Sequence, residues 1–498
     1  MEFFILCLKS TRGGTRTHTF LRRGYSMPFL SFAMLVLFSA VSLTEAAHMA
    51  MGIRVGEVDQ TSAIIWTRIT KNPERNWDGY RDRKKSQTRV NEYTPSSIKV
   101  DDREGATPGS AGQVRVTHAT LTDFSNAIVS KWVSVQASKD FVHQFQLTGL
   151  KPATKYFLKI EARSGPDAKP TVQTGSLQTP AKADQWQDVT FTVVTGQSYW
   201  DLDHRDGYHI YPAMAKLRPH FIVPTGDTVY LDSEAPRART VELARHHWHR
   251  MYSLPRHVEF HRFVPGYWEK DDHDAWVDDC WPTKEAEWMN PLTFKQGLEI
   301  YREQVPMGKS LYRTIRWGKG LQIWVVEGRD FRSANTDPDG PDKLIWGEEQ
   351  REWLKRTILE SDADFRVLIS PTPIVGPDRS RGKNDNHSNK AFATAGNHFR
   401  DWTQKMNLKN FYICCGDRHW QYYSIDPKTK LREFSCGPAS DEHANNAAAR
   451  NPEIQPYHKV KGGFLSVRVT RSDGKPEIIF RHHGVHGEVF NTVTDSGK

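Results

Sequence analysis

Cysteine is scarce, with five residues in a chain of 498, and that excludes a small disulfide-stapled scaffold. Cys7 falls in the leader described below, leaving Cys280, Cys414, Cys415 and Cys436. Their spacing matches no zinc-knuckle pattern. A Cys280 to Cys436 bridge and buried free thiols both stay open, because sequence does not give connectivity. A strong charge bias is also missing. The formal net charge is +9, and residues 1–46 hold five basic and two acidic residues, so a third of the excess sits at the extreme N-terminus. No dense Lys/Arg stripe with interleaved aromatics occurs, and no nucleic-acid-binding module is recognised. Internal repeats and low-complexity tracts are absent too, which excludes solenoids, collagen and extended disorder.

Long hydrophobic runs are limited to one, Pro28 to Leu43, so the chain is no multispan membrane protein. Arg22 and Arg23 precede this run and Thr44-Glu45-Ala46-Ala47 follows it. These are the three parts of a secretory signal peptide, and the run is too short for a transmembrane helix. We expect cleavage near Ala46, no stable membrane span afterwards, and a secreted, periplasmic or cell-surface mature chain. Met1 to Ser26 shows no fold signal and reads as an over-extended start, with Met27 the next candidate.

What is present from Gly52 onward is period-two alternation. Ile53 to Val58 and Ala63 to Arg68 read as strands, and strand signals resume at Val114–Val116, Lys131–Val135, Val142–Leu147, Tyr156–Ala162 and Val172–Leu177. Several short strands bounded by turn residues predict a β-sandwich over residues 48–182, interrupted by a polar insertion at about 71–113. Leu150 to Tyr156 resembles the corner of fibronectin type III domains in which a Tyr hydroxyl closes onto the backbone. After a linker near residue 183 strands alternate with helices. Val189–Thr195, His220–Pro224, Leu321–Val326, Phe365–Ser370, Phe411–Cys415, Gly463–Val469 and Pro476–Arg481 read as strands, and Gly207–Leu217 and Gly347–Ser361 as helices. That pattern predicts an α/β layered domain over residues 183–498.

The chemistry concentrates at strand ends. The strand His220–Pro224 runs into Thr225-Gly226-Asp227-Thr228-Val229-Tyr230, and Phe411–Cys415 into Gly416-Asp417-Arg418-His419. Glycine turns there aim carboxylates off the edge where open α/β sheets bind ligands. A third cluster is Asp271-Asp272-His273-Asp274 with Asp278-Asp279 behind it. One Gly-Asp pair is usually a surface turn, and an acidic run is usually solvated. Three such clusters in strand-end context point to a two-metal hydrolytic site, since paired cations need a bridging carboxylate and outer oxygen and imidazole ligands. Carboxylate-rich ligation favours Ca, Mn or Fe over a thiolate zinc site. His246-His247-Trp248-His249 reads as a packing or surface feature of a helix, and His482, His483 and His486 either line the site or cap a strand.

These blocks, together with Gly328-Arg329-Asp330-Phe331-Arg332, Gly347 to Leu354 and Ser370-Pro371-Thr372-Pro373, resemble in order and spacing the PhoD-like alkaline phosphatases, secreted members of the metallophosphoesterase superfamily. The resemblance implies a fibronectin III-like β-sandwich followed by a metallophosphoesterase-type layered sandwich. It implies metal ligation by Asp227 as bridge, Tyr230 as phenolate, Asp272, Asp278, Asp417 and His419. It assigns His273 to transition-state donation and Arg329 and Arg418 to gripping phosphate, a salt bridge being an equally good reading of Arg418. A metal-bound hydroxide would attack phosphorus in line, on small-molecule or polymeric phosphate esters, monoesters or diesters. Three positions depart from the family. Gly196 stands where a Cys thiolate on iron is usual, Glu327 where Asp is usual, and Asp278 where Asn is usual. Fe and Ca are therefore implied by the resemblance, with Mn or Zn open because of Gly196. Asp201, Asp203 and His204 are the nearby candidates for a replacement ligand. The alternatives are a hydrolase of another anionic ester, its specificity set by Asp232–Arg250 and Asn335–Lys343, and a non-catalytic binding protein.

Overall fold

A computed structural model describes residues 46–82, 97–378 and 385–497. The apolar run Pro28 to Leu43 lies outside the described residues, and among those described no helix is long and apolar enough to cross a membrane. Thr44–Lys498 forms one compact unit.

The N-terminal strands build two facing antiparallel sheets. One has the order Ile53–Gly56, Ala63–Arg68, Val142–Leu147. The other has the order Ile128–Val129, Gln113–Ala119, Lys155–Arg163, Thr171–Gln178. Alternation sends Ile53, Val55, Ile65 and Phe145 from the first sheet and Val114, Val116, Leu158 and Ile160 from the second into one core. The Tyr156 hydroxyl accepts the Lys151 N–H at 2.7 Å, closing the corner. The strand expected over Lys131–Val135 shrinks to Val133–Ser134, because only these residues find partners, on Gln113 and Val114. Parts of the polar insertion are described, and they hold one 3-10 turn, Val100–Asp102. Loop main-chain bonds, such as the Tyr80 N–H to the Asp102 carbonyl at 2.8 Å, and side chains fix it: Arg103 pairs with Asp82, and Arg75 donates to the Arg250 carbonyl at 2.8 Å and to Glu104 at 2.7 Å.

The remaining chain forms two further sheets packed face to face. The first runs Phe221–Pro224, Val189–Val194, Phe464–Ser472, Lys475–His483, Val489–Ser496, and the second Arg313–Trp317, Leu321–Val325, Phe365–Ser370, Phe411–Cys415, Arg432–Cys436, Gln421–Ile425, Tyr457–Lys459. Phe191, Val193 and Val467 meet Ile323, Val367 and Cys414 between them. Alternate residues of the central strands face outward, and most of these are buried as well. Val194, Ile222 and Phe464 pack with the helices Ile210–Lys216, Val241–Tyr252, Pro255–His261 and Phe294–Gln304. Trp324, Leu368 and Ile413 pack with Gly347–Glu360 and Ala393–Lys405. Burial on both faces explains why these strands read as continuous apolar runs.

Three sequence expectations are corrected or resolved here. Residues Val241–Arg250 of the supposed specificity loop are part of a buried helix, and His246, His247 and His249 pack inside it, His249 on Asp140 at 2.6 Å. His482 and His483 end a buried strand, one bonded to the Tyr422 carbonyl at 3.1 Å and the other to the Ser466 hydroxyl at 2.7 Å. Cys280, Cys414, Cys415 and Cys436 are buried free thiols, with no bridge between Cys280 and Cys436.

One extended segment, Pro265 to Glu269, has no strand signature in the sequence and nevertheless organises the molecule. Tyr267 N–H donates to the Ile222 carbonyl at 3.0 Å and Glu269 N–H to Pro224 at 2.8 Å, so the segment runs parallel to Phe221–Pro224. On its other side Gly266 N–H donates to the Val55 carbonyl at 2.9 Å. It therefore hydrogen-bonds the edge of the N-terminal sheet to the edge of the five-stranded sheet.

Candidate metal centre

The same segment delivers the acidic cluster. Because Glu269 lies beside Thr225 in parallel, Asp271, Asp272 and His273 emerge at the strand end that carries Gly226 and Asp227. Gly226 has φ +98°, and a Cβ there would stand 2.4 Å from the Asp271 amide nitrogen, so only glycine lets the two turns touch. Asp274 pins them together: its carboxylate accepts the N–H groups of Thr228 at 2.9 Å, Val229 at 3.0 Å and Asp271 at 3.0 Å. Asp227 (φ +52°) and Asp417 (φ +60°) both hold the left-handed backbone conformation at their strand ends, a strain of the kind that surrounding structure must sustain.

Asp227 belongs to two donor sets. With Asp272 and His273 it offers ligand atoms that all lie within 4.8 Å of one another, and Asp272, Asp278 and Asp279 form an adjoining set of the same kind. On its other side Asp227 Oδ2 lies 3.2 Å from the Tyr230 hydroxyl and 3.6 Å from His419 Nε2, which is itself 3.3 Å from Tyr230. Asp417 stands two residues before His419 and pairs with Arg418, its N–H 3.4 Å from Thr195 Oγ1. His273 is held by Asp232 at Nδ1, 2.6 Å away, and its Nε2 lies 3.7 Å from the exposed Asp278. Burial would lower the His273 imidazole, but Asp232, Asp272 and Asp227 outweigh it and hold the ring protonated, well above its ordinary value.

Arg329 and Arg418 are fully buried among carboxylates. Arg329 binds Asp271 at 2.5 Å and lies 3.7 Å from both Asp272 and Asp385, while Arg418 binds Asp378 at 2.7 Å and also Asp417. Glu327, longer than the usual Asp, reaches the buried Lys270, which also meets Asp330 at 2.8 Å. Even with these cations the cluster is short of positive charge. Burial pushes the Asp271 carboxyl well above its usual range, Arg329 opposing and Asp272 and Asp227 adding to the shift, and burial takes Asp274 to about 7. The Tyr230 phenol rises well above its ordinary value through burial, and Asp227 beside it adds to the shift. Oxygen and imidazole donors crowded around a charge deficit are a donor set that suits hard or borderline cations.

Sequence reading missed His443, Asp232 and the pinning role of Asp274. His443 Nε2 lies 2.7 Å from the Tyr230 hydroxyl and its Nδ1 2.8 Å from Asp201. No motif marked it, since His443 lies farther beyond the strand Arg432–Cys436 than Asp227 and Asp417 lie beyond theirs, in a loop with no Gly-Asp turn. Of the proposed replacement ligands, Asp201 reaches the centre through His443. Asp203 instead accepts the His209 N–H at 2.8 Å, and His204 Nδ1 accepts the Asp206 N–H at 3.1 Å.

Fold and donor set define a metallophosphatase. The chain belongs to the PhoD-like phosphatase family, whose model matches residues 191–471, while the model of that family's N-terminal domain matches residues 38–181. The resemblance read from the motifs is thus borne out, and the protein is a phosphoester hydrolase. It is 21% identical to alkaline phosphatase D of Bacillus subtilis (strain 168) over 496 residues, covering 86% of this chain and 76% of that protein. A solved structure of PhoD superposes with a TM-score of 0.67 at 16% identity, over 90% of this chain and 89% of that one. A purple acid phosphatase from yellow lupin seeds (Lupinus luteus) gives 0.58 at 10% identity, over 89% and 74%.

Proposed function

We propose that this chain is a secreted phosphatase, active on phosphate monoesters or diesters, that works through a binuclear metal site centred on Asp227. The observation that carries the reading is the position of Asp227 between two groups of donors, Tyr230 with His419 on one side and Asp272, which also gathers with Asp278 and Asp279, on the other. Tyr230, His419 and Asp417 would serve one cation and Asp272 and Asp278 the other, with Asp227 shared. Fe and Ca follow from the family, and Mn or Zn from the glycine at position 196. When bound, such a pair neutralises developing charge and activates water.

The chain's own residues do the rest. Protonated His273, clamped at Nδ1 by Asp232, keeps Nε2 for a phosphoryl oxygen or the leaving alkoxide. Arg329 and Arg418 act by holding Asp271 and Asp417 in place. A direct grip on phosphate would require them to leave those carboxylates. We read residues 1–46 as a cleaved leader, 48–182 as a fibronectin III-like sandwich and 183–498 as a catalytic domain of metallophosphoesterase type. The 53–56, 63–68, 142–147 strand order opposite the four-stranded sheet, the Tyr156 corner and the helix, sheet, sheet, helix layering support this reading.

The test is elemental analysis of the purified mature chain, paired with hydrolysis of a chromogenic phosphomonoester and diester before and after chelation. Bound metal and chelator-sensitive turnover are expected. Metal-free protein that turns over neither ester after addition of Fe, Ca, Mn or Zn would sink the reading.

A further inference from the structure

We infer that His443 is a metal ligand of this site, occupying the space that a side chain at position 196 would fill; the inference rests on the metal reading above. Gly196 has φ +57°, and a Cβ built on it would stand 3.3 Å from His443 Cδ2 and 3.1 Å from Pro438 Cβ. The imidazole therefore lies directly against the open side of the glycine. Backbone pairing fixes it there. Thr195 bridges to Pro438, the Ala439 N–H donates to the Gly196 carbonyl at 3.1 Å, and the Asn445 N–H donates to the His419 carbonyl at 3.2 Å. The loop bearing His443 is thereby tied to residue 196 at one end and to the His419 strand end at the other.

The donor atoms point the same way. The Tyr230 oxygen has three neighbours within 3.3 Å: Asp227 Oδ2, His419 Nε2 and His443 Nε2. A phenol carries one proton, and Asp227 and His443 compete for it, whereas a cation among the four gives every lone pair a partner. Asp201 at 2.8 Å from Nδ1 sets the tautomer that leaves Nε2 free to ligate, the usual carboxylate–imidazole arrangement behind a metal. His443 is also nearly buried, 11% exposed, so the ring is held rather than solvated. Imidazole in place of a thiolate removes one negative charge, which shifts preference from a trivalent to a divalent ion.

The experiment titrates metal-stripped full-length chain with Zn2+ by competition against a chromogenic chelator, and reads the zinc shell by X-ray absorption. His443→Ala should lose more than about 100-fold in affinity for one zinc and lower the imidazole count. Asp201→Asn, which keeps the ring but not its anchor, should lose roughly tenfold. Adding Gly196→Cys to His443→Ala should restore affinity with sulfur in the shell, because the clash with the ring is gone. Circular dichroism confirms that each variant is folded, and Asp201→Asn, which keeps the imidazole, supplies the answer if His443→Ala is not. Wild-type protein that binds no zinc overturns both this inference and the metal reading. Wild-type binding with unchanged affinity and imidazole count in His443→Ala overturns the role of His443 alone.

Discussion

Asp274 accepts three backbone N–H groups, and through them it decides whether Asp227 and Asp271 stay in register. Asp274→Ala leaves the N–H groups of Thr228, Val229 and Asp271 without their acceptor. With a cost of about 1 kcal/mol for each buried donor, a loss of about 3 kcal/mol is expected in urea unfolding, together with reduced turnover. Asp227→Asn should lose activity without that loss of stability. It removes a charge from a cluster whose carboxyls are already pushed up, so phosphatase activity should fall about a thousandfold or more while the melting temperature of chelated protein holds or rises. The motif residues were legible because each stands at a strand end in a distinctive run. Asp232 and His443 were not, since their roles depend on His273 and Tyr230, which are 41 and 213 positions away.

Among the elements, the outward legibility of the strands follows from burial on both faces, which leaves apolar runs such as Phe365–Ser370 readable without any alternation. Pro265 to Glu269 escaped for the converse reason. It begins with Pro-Gly and contributes main-chain pairing more than a hydrophobic pattern, so it looks like a loop. The contact it makes possible is testable at Gly226. Gly226→Ala would drive a Cβ to within 2.4 Å of the Asp271 amide at φ +98°. The strand Phe221–Pro224 should survive, as read by circular dichroism, while the Asp227 and Asp271 turns separate and kcat/KM drops more than tenfold, roughly the effect of misplacing a catalytic group by an ångström. Wild-type kinetics in this variant would refute the claim that close approach of the two turns matters.

For the molecule as a whole, buried histidines set the acid limit. Burial pushes His261, His387 and His482 down to about 3, with Arg54 adding to it for His261, and burial and Arg68 take His249 to about 4 against the pull of Asp140. These values lie below the 6.5 of a free imidazole, so the unfolded chain takes up protons that the native chain refuses. The stability they support is complete above pH 6.5 and is lost as pH falls toward 3, by about 2 kcal/mol per histidine at pH 5. The raised Asp271 and Asp274 carboxyls take up protons in the native chain over the same range and oppose this loss, so the histidine share is read by difference: the melting temperature of chelated His482→Gln should fall less between pH 7 and pH 5 than that of the wild type, and identical profiles would contradict the burial. The sandwich and layered regions could each be read from strand patterns, but their junction could not, since its main-chain bonds around Gly266 and its side-chain pairs, such as Arg313 with Glu57 and His249 with Asp140, join residues far apart in the sequence. That junction also imposes an order on synthesis. The Ile53–Gly56 edge waits for a partner roughly 200 residues downstream, so at ordinary ribosomal speeds it stays open for about 10–40 s. During that interval the nascent sandwich carries an unpaired template for other strands, and a chaperone or an unfolded export route has something specific to guard.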